Sequence, residues 1–331
     1  MKIAVVGATG LVGSKMIELL AESQLPINEI IPVASKKSLG QKVLFKEENY
    51  NIQDIDSAIA LAPDIALFSA GADISLKKAG EFAKKGTVVI DNSSAWRMHP
   101  DVRLIVPEIN GSSLTKEDKI IANPNCSTIQ LVMVLKPLHD IYKIKRVVVS
   151  TYQAVSGSGQ KGIEQLKGER NTQHSTLDKA YSFDIDLNVI PHIDIFLDNL
   201  YTKEEMKVIN ETQKILDDYS IKLTVTAVRV PVLSGHSESV NIEFSKKVNL
   251  NDIKKTLENF SGLKIIDNTK NTLYPMPKYH VGSNDVFVGR LRYDESQKNS
   301  VNLWIVADNL MKGAAGNAVQ IAEYIYKKGL V

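Results

Sequence analysis

The spacing of apolar positions divides the chain into two stretches of different character. In the first, short unbroken apolar runs alternate with amphipathic ones. Lys2 to Val6 is a run of strand length, and the glycine turn after it leads into a helix through about Ala21, with Met16, Ile17, Leu19 and Leu20 on its apolar face. A second strand is expected near Glu29 to Val33. Two more fall at Asp64 to Phe68 and Thr87 to Ile90, with a helix between them around Ser75 to Lys84. Strands alternating with helices predict a parallel sheet covered on both faces, so roughly the first 120 residues read as one doubly wound α/β unit.

The pattern changes after about Lys145. RVVVSTYQAV, KLTVTAVRVPV, SVNIEFS and NLWIVAD are longer, rich in β-branched residues, and several alternate apolar with polar. They predict a mixed or antiparallel sheet in a second, α+β domain. Residues 161–190 are polar, show no period, and read as an irregular insertion. The last stretch, KGAAGNAVQIAEYIYKKGL, has helical spacing with small residues at its start and is expected to pack back on the first unit.

Composition narrows the class. A chain of 331 residues is long for one core, which agrees with two domains. With 44% hydrophobic and 24% charged residues it suits a soluble globular protein. The formal charge is +2, with no run of five like charges, which argues against a nucleic-acid surface or a polybasic membrane anchor. The start, MKIAVVGATGLVG, resembles a signal peptide only superficially, because three glycines interrupt it and an amphipathic pattern follows. No apolar run approaches the roughly 20 residues needed to span a bilayer. One cysteine cannot form an internal disulfide, and a reducing cytoplasm is the expected compartment.

GATGLVG sets Gly7, Gly10 and Gly13 at three-residue intervals between the first strand and the first helix. Glycine there permits a tight turn, and the helix N-terminus offers free amides to a pyrophosphate. The spacing is GxxGxxG, not GxGxxG, and its place after the first strand strengthens the reading. NAD sites carry an acidic residue at the end of the second strand. Here the strand is followed by Ser35, Lys36, Lys37 and Ser38, which suit a 2′-phosphate and favour NADP. The plain alternative is a solvated turn.

The single cysteine, Cys126, lies in NPNCST, just where Thr128, Ile129, Leu131, Val132, Val134 and Leu135 begin a helical pattern. A helix N-terminus favours thiolate and offers amides to an oxyanion. A buried structural thiol is the competing reading. A thiolate nucleophile needs a proton-transfer partner. His236, in VPVLSGHSES, is placed in a short loop between two predicted strands, where a solvent-facing turn histidine is the alternative. Arg229, in TVTAVRVPV, shares a strand face with Val225 and Ala227, so it demands a partner: either a bound carboxylate or an internal salt bridge. Glu204 and Lys207, spaced i,i+3 behind the expected cap Thr202, read by default as a surface ion pair, and Arg97 as a lone loop arginine.

Taken together, GATGLVG, FSAG, DNSSAWRM, NPNCST, QAVSGSG, RVPVLSGHS and DNLMKGAAGNA resemble the aspartate-semialdehyde dehydrogenase family, in the family's order and across essentially the whole chain. The resemblance implies a Rossmann-type NADP domain at 1–125, completed by a C-terminal helix at about 310–331, and a catalytic and dimerisation domain at 126–309. It implies a homodimer with no metal, acting on small molecules: aspartyl phosphate, aspartate semialdehyde and phosphate. Cys126 would be the nucleophile that carries the acyl group as a thioester, His236 the acid–base residue, and Asn125 and Gln153 would help place cysteine and substrate. Arg229 and Glu204 would bind the carboxylate and amino groups, and Arg97 and Lys207 the phosphate. On the cofactor side the matching positions are Gly7, Thr9, Gly10, Leu11, Val12, Ser35, Lys37 and Ser38 for the adenine nucleotide. Gly71, Ser156, Gly157 and Asn309 match the approach to ribose and nicotinamide. Lys37 stands where many members have arginine, which weakens the inferred NADP preference. The implied pathway role is biosynthesis of lysine through diaminopimelate, and of threonine, methionine and isoleucine. Two readings compete: reduction of another acyl phosphate, such as an N-acylated glutamyl phosphate, and a non-catalytic NADP-binding sensor with a redox-active thiol.

Overall fold

The computed structural model describes residues 1–171 and 179–331. Two compact units divide them: Met1–Asn125 with Ala314–Val331, and Cys126–Gly313. No described helix is long and apolar enough to cross a membrane.

The first unit runs β1 (Lys2–Val6), α1 (Leu11–Glu22), β2 (Glu29–Val33), the hairpin β3 (Lys42–Phe45) and β4 (Glu48–Asn51), α2 (Ile55–Ala60) and β5 (Ile65–Phe68). It continues through α3 (Ala72–Lys84), β6 (Val88–Asp91), β7 (Arg103–Leu104), α4 (Pro107–Asn110) and β8 (Ile120–Ala122). Six strands form an all-parallel sheet in the order β2-β1-β5-β6-β8-β7. Every residue of β5 and β6 is buried, which is why these strands read as unbroken apolar runs. Phe68 and Phe82 meet edge to face at 5.4 Å in a core with Ala4, Val6, Ile31 and Val89.

The second unit runs α5 (Cys126–Tyr142), β9 (Ile144–Gln153), α6 (Gly159–Arg170), α7 (Lys203–Leu216), β10 (Lys222–Arg229) and β11 (His236–Phe244). It ends with α8 (Leu250–Glu258), β12 (Leu263–Ile265), α9 (Pro277–His280), β13 (Val286–Tyr293) and β14 (Ser300–Ala307). Its six strands lie in the order β10-β9-β11-β14-β13-β12. β10 with β9 and β12 with β13 are parallel, and the other pairs antiparallel, so the sheet is mixed. Twelve of the seventeen residues of α5 are buried, so this helix is enclosed nearly all round and shows no clean polar face. After β14 the chain winds through a π-helical turn, Met311–Ala315, into α10 (Gly316–Lys327), which belongs to the first unit.

Two expectations are corrected here. The polar stretch from residue 161 is not irregular at its start: α6 extends to Arg170, with Ile163 and Leu166 packing beside Val155 and Ile185. Residues 172–178 of that stretch lie outside the described residues. His236 is not in a loop. The turn ends at Gly235, whose φ of +87° only glycine adopts readily, and His236 opens β11 with no exposed surface.

Candidate active site

In the first unit, the turn after β1 is shaped by its glycines. Gly7 has φ +94°, and a Cβ there would strike the Ser69 carbonyl, while a Cβ on Gly13 would strike the Gly7 backbone. The Gly7 and Ala8 amides donate to the Val33 carbonyl at 2.8 and 3.0 Å, tying the turn to the end of β2. Gly10 caps α1 in extended conformation with no side-chain bond, and the first turn of α1 has no acidic residue. Its amide end therefore suits an anion. Ala8, Thr9, Ser14, Gln41, Lys42 and Leu44 border a cavity of about 450 Å³ beside this turn. Ser35 precedes a 3-10 turn, Lys36–Ser38, and neither Lys36 nor Lys37 makes an ion pair among the described residues. Gly71, with φ +87°, caps α3 after β5. The residues present fit a dinucleotide, and the two unpaired lysines fit a phosphate on its ribose.

Arg97, also in this unit, is buried after β6. Its Nε donates to the Asn123 carbonyl and its Nη2 to the Asn92 carbonyl, each at 2.9 Å. The Asn123 amide donates in turn to Asn92 Oδ1 at 2.7 Å, so this arginine is held rigidly and is no loose loop residue. Asn125, buried, immediately precedes Cys126 in the chain.

The second unit aligns its chemistry by strand register. Arg229 in β10 pairs with Gln153 in β9. One residue on from the Ser237–Tyr152 pair, Gln153 stands beside His236 in β11, which pairs with Ala307 in β14. Residues paired across a ladder point to the same face, so Arg229, Gln153 and His236 form a row on the inner face. All three are at most 3% exposed. Cys126, half-buried, begins α5, the helix that packs on β9, β11 and β14 of that sheet.

The Ala154 amide donates to His236 Nδ1 at 3.0 Å. A donor there requires a lone pair, so the ring proton is on Nε2, which is buried with no hydrogen-bond partner among the described residues. Burial, then the Arg229 charge, hold the histidine well below its ordinary pKa, so it is neutral. Arg229 Nη1 donates to the Ala154 carbonyl at 2.7 Å, and its guanidinium stacks 5.7 Å from the Tyr181 ring. Arg229 Nε has no partner, and among the described residues Arg229 has no carboxylate, so the internal salt bridge is absent there. A buried cation in that state is completed by an anionic ligand. Arg229 and His236 open on one spot: a Cβ on Gly157 would lie 2.7 Å from Arg229 Nη1 and 3.3 Å from His236 Nε2.

Beside the row, Thr202 caps α7 in a capping box: the Glu205 amide donates to Thr202 Oγ1 at 3.3 Å, and the Thr202 amide to Glu205 Oε2 at 2.7 Å. This fixes Glu204, 5% exposed, in the first turn. Gln153 Nε2 donates to Glu204 Oε1 and to Thr151 Oγ1, both at 3.3 Å. Lys207 pairs with Glu204 at 3.2 Å and with Asp194 at 2.8 Å, so the pair read as a surface bridge is a half-buried triad. Burial works to lower the Lys207 pKa, and the two carboxylates outweigh it, so lysine stays charged. Asn309 Oδ1 accepts from the Gly235 amide at 2.9 Å, and its Nδ2 donates to Ser156 Oγ at 2.9 Å, bracing the turn before His236.

Sequence reasoning missed Asp194, Tyr181, Thr151 and Gly313. Thr151 is detectable as a polar residue at an inward position of an alternating strand, and Gly313 by its close approach, since a Cβ there would lie 2.9 Å from Cys126 Cβ. Asp194 and Tyr181 lie in aperiodic chain and give no signal.

Comparison with known proteins gives the family. Residues 2–117 match the family model described as semialdehyde dehydrogenase, NAD binding domain, and residues 135–312 that of semialdehyde dehydrogenase, dimerisation domain. The aspartate-semialdehyde dehydrogenase of Aquifex aeolicus is 48% identical, over 100% of this chain and 99% of its own. A crystal structure of aspartate semialdehyde dehydrogenase II from Vibrio cholerae, complexed with ASA, superposes with a TM-score of 0.94 at 42% identity, covering 98% of each chain. Aspartate semialdehyde dehydrogenase with NADP from Candida albicans superposes at 0.79 and 25% identity, covering 100% of this chain and 99% of that one.

Proposed function

The chain belongs to the aspartate-semialdehyde dehydrogenase family, and from that premise we propose that it interconverts L-aspartate 4-semialdehyde and L-aspartyl 4-phosphate through a thioester on Cys126, with NADP as cofactor. The observation that carries the reading is the spot over Gly157, where an unpaired buried guanidinium and a neutral histidine N–H converge. A substrate with a carboxylate at one end and a carbonyl at the other satisfies both.

In the oxidative direction Arg229 takes the carboxylate in a charge-assisted pair, and Glu204, steadied by Gln153, takes the ammonium. Cys126 thiolate, favoured by the amide end of α5, attacks the aldehyde carbon, and a C–S bond replaces the carbonyl π bond. The charge arrives on the former carbonyl oxygen, where His236 Nε2–H donates to it. This is a narrower role than acid–base exchange: with Nδ1 engaged by Ala154, the ring offers a hydrogen and has no lone pair at Nε2. The glycine turn after β1 and the Lys36–Ser38 turn would hold NADP, which would supply the hydride acceptor for that carbon. Asn125 and Asn309 keep Cys126 and the turn before His236 in place. A phosphate oxygen, bound by Arg97 and Lys207, then attacks the thioester; the C–S bond breaks and the thiolate returns. The reductive direction reverses each step.

Lys37 and its neighbours support NADP over NAD, as does the NADP in the Candida albicans relative. A homodimer is supported by the dimerisation-domain match and by the outer sheet face, where the Tyr152 and Trp304 rings meet tilted at 5.3 Å and stay partly exposed. A reduced thiol suits a cytoplasmic enzyme, whose product would enter lysine, threonine, methionine and isoleucine synthesis. The test is absorbance at the NADPH band after mixing protein, L-aspartate semialdehyde, NADP and phosphate. Steady NADPH formation is expected, lost without phosphate, after thiol alkylation, or in Cys126→Ser, which still binds NADP. NADP binding with no NADPH formed would overturn the reading.

A further inference from the structure

Directly behind the row of Arg229, Gln153 and His236 lies a second one. Ala227 pairs with Thr151, Thr151 with Glu238, and Glu238 with Ile305. Glu238 is thus two residues along β11 from His236 and on the same inward face. It has no exposed surface, and among the described residues no cation pairs with it. Neither of its oxygens has a hydrogen-bond partner of good geometry, and neither has Gln130 Nε2. Gln130 is buried in α5, which packs on β11, and its side chain is the polar group that acts on the Glu238 carboxyl.

Gln130 is four residues after Cys126 in α5. Side chains at i and i+4 lie on one face of a helix, separated by one turn of about 5.4 Å. His236 and Glu238 are separated by two strand residues, about 6.6 Å. The two spacings nearly match. A contact between Gln130 and Glu238 would accordingly bring Cys126 toward His236.

We propose that Glu238 and Gln130 form a buried carboxyl–amide pair that fixes the register of α5 against β11, making Glu238 a positioning residue for Cys126 and His236 that works as an uncharged acid. An ionised carboxylate there would stand unpaired in an apolar interior, which is too costly to persist. It would also oppose a thiolate at Cys126, one helical turn from Gln130. Burial accordingly pushes the Glu238 carboxyl well above its ordinary range, with Gln130 acting weakly the other way. In this arrangement the Gln130 amide donates to one Glu238 oxygen.

This inference rests on the reading of Cys126 as nucleophile, and one assay separates the two. The alkylation rate of Cys126 by iodoacetamide, followed against pH, reports the thiol whether or not aspartate semialdehyde is turned over. Glu238→Gln keeps a neutral group of the same shape and is expected to rescue function, holding kcat and the alkylation profile within about twofold of the parent. Glu238→Leu and Gln130→Leu remove the pair from either side. In them kcat should fall on the order of 10²-fold while KM for the aldehyde changes little, because misplacing the nucleophile leaves Arg229 and Glu204 intact. The alkylation profile should shift with it. A folded Glu238→Gln as impaired as Glu238→Leu would overturn the proposal, since it would show that the carboxyl's own charge or proton is required. A folded leucine variant at either position with parental kcat and alkylation would overturn it too. If Glu238→Leu does not fold, Gln130→Leu and the exchange Gln130→Glu with Glu238→Gln, expected to restore the pair, decide the matter.

Discussion

Replacing His236 tests how this enzyme handles charge at the reacting carbon. The structure gives the histidine one donor, Nε2–H, because the Ala154 amide occupies Nδ1 at 3.0 Å. His236→Ala removes that donor from a position with no exposed surface. Loss of one preorganised oxyanion donor costs about 10²–10³ in kcat, or about 3–4 kcal/mol. The same change strands the Ala154 amide, for which about 1–3 kcal/mol of stability is lost. His236→Gln retains an amide donor and should recover part of the rate. Stability against pH supplies a second reading. Because the folded histidine sits well below 6.5, the unfolded chain binds more protons below that pH. Stability is therefore complete above about pH 6.5 and falls as pH drops, by up to about 1.4 kcal/mol per unit, and His236→Gln should flatten this slope. The assay is kcat/KM from NADPH absorbance between about pH 5.5 and 8.5, beside Cys126 alkylation over the same range. One ionisation, shared with alkylation, is expected. A separate limb near pH 6.5 in the parent, missing in His236→Gln with alkylation unchanged, would show that His236 takes up a proton and would refute the donor role.

Two further outcomes are expected. Gly157→Ala sets a methyl 2.7 Å from Arg229 Nη1 and 3.3 Å from His236 Nε2, so kcat/KM for the aldehyde should fall on the order of 10²-fold with little change in thermal unfolding; parental kinetics would mean substrate does not use that spot. Arg97→Ala should raise KM for phosphate with kcat and NADP affinity less affected, and an unchanged KM would give Arg97 another task.

Much of this was legible in the sequence where burial writes a plain pattern. β1 and β2 end where their apolar runs do, and every residue after the leading Lys2 and Glu29 is buried, as strands covered on both faces require. The hairpin of β3 and β4 was not legible. Its two-residue turn is Lys46-Glu47, both with positive φ, in place of the Asn-Gly that announces such turns, and its strands are largely exposed. α6 was hidden by its polarity, with only Ile163 and Leu166 spaced as a helix requires. In the site, Arg229 declared itself as a charge among inward residues. Glu238 obeys the same alternation in SESVNIEF but was masked by the conspicuous His236 two residues before it. Asp194 has no periodic context at all, since it meets Lys207 only through the folded chain.

Arg229, Gln153 and His236 stand on three neighbouring strands, and this makes the sheet a ruler. On the roles proposed for them, the gap between the guanidinium that would anchor a substrate and the ring that would face its reacting end is counted in strands, at about 4.8 Å each. Such a gap changes only in whole steps. A homologous substrate one methylene longer cannot be fitted by easing a loop, because no loop sets the distance. It requires a shorter side chain at the anchor, or a different strand to carry it. Chain-length selectivity is in this sense woven into the hydrogen-bond ladder, and a change in appetite would have to be made at residue 229 before anywhere else.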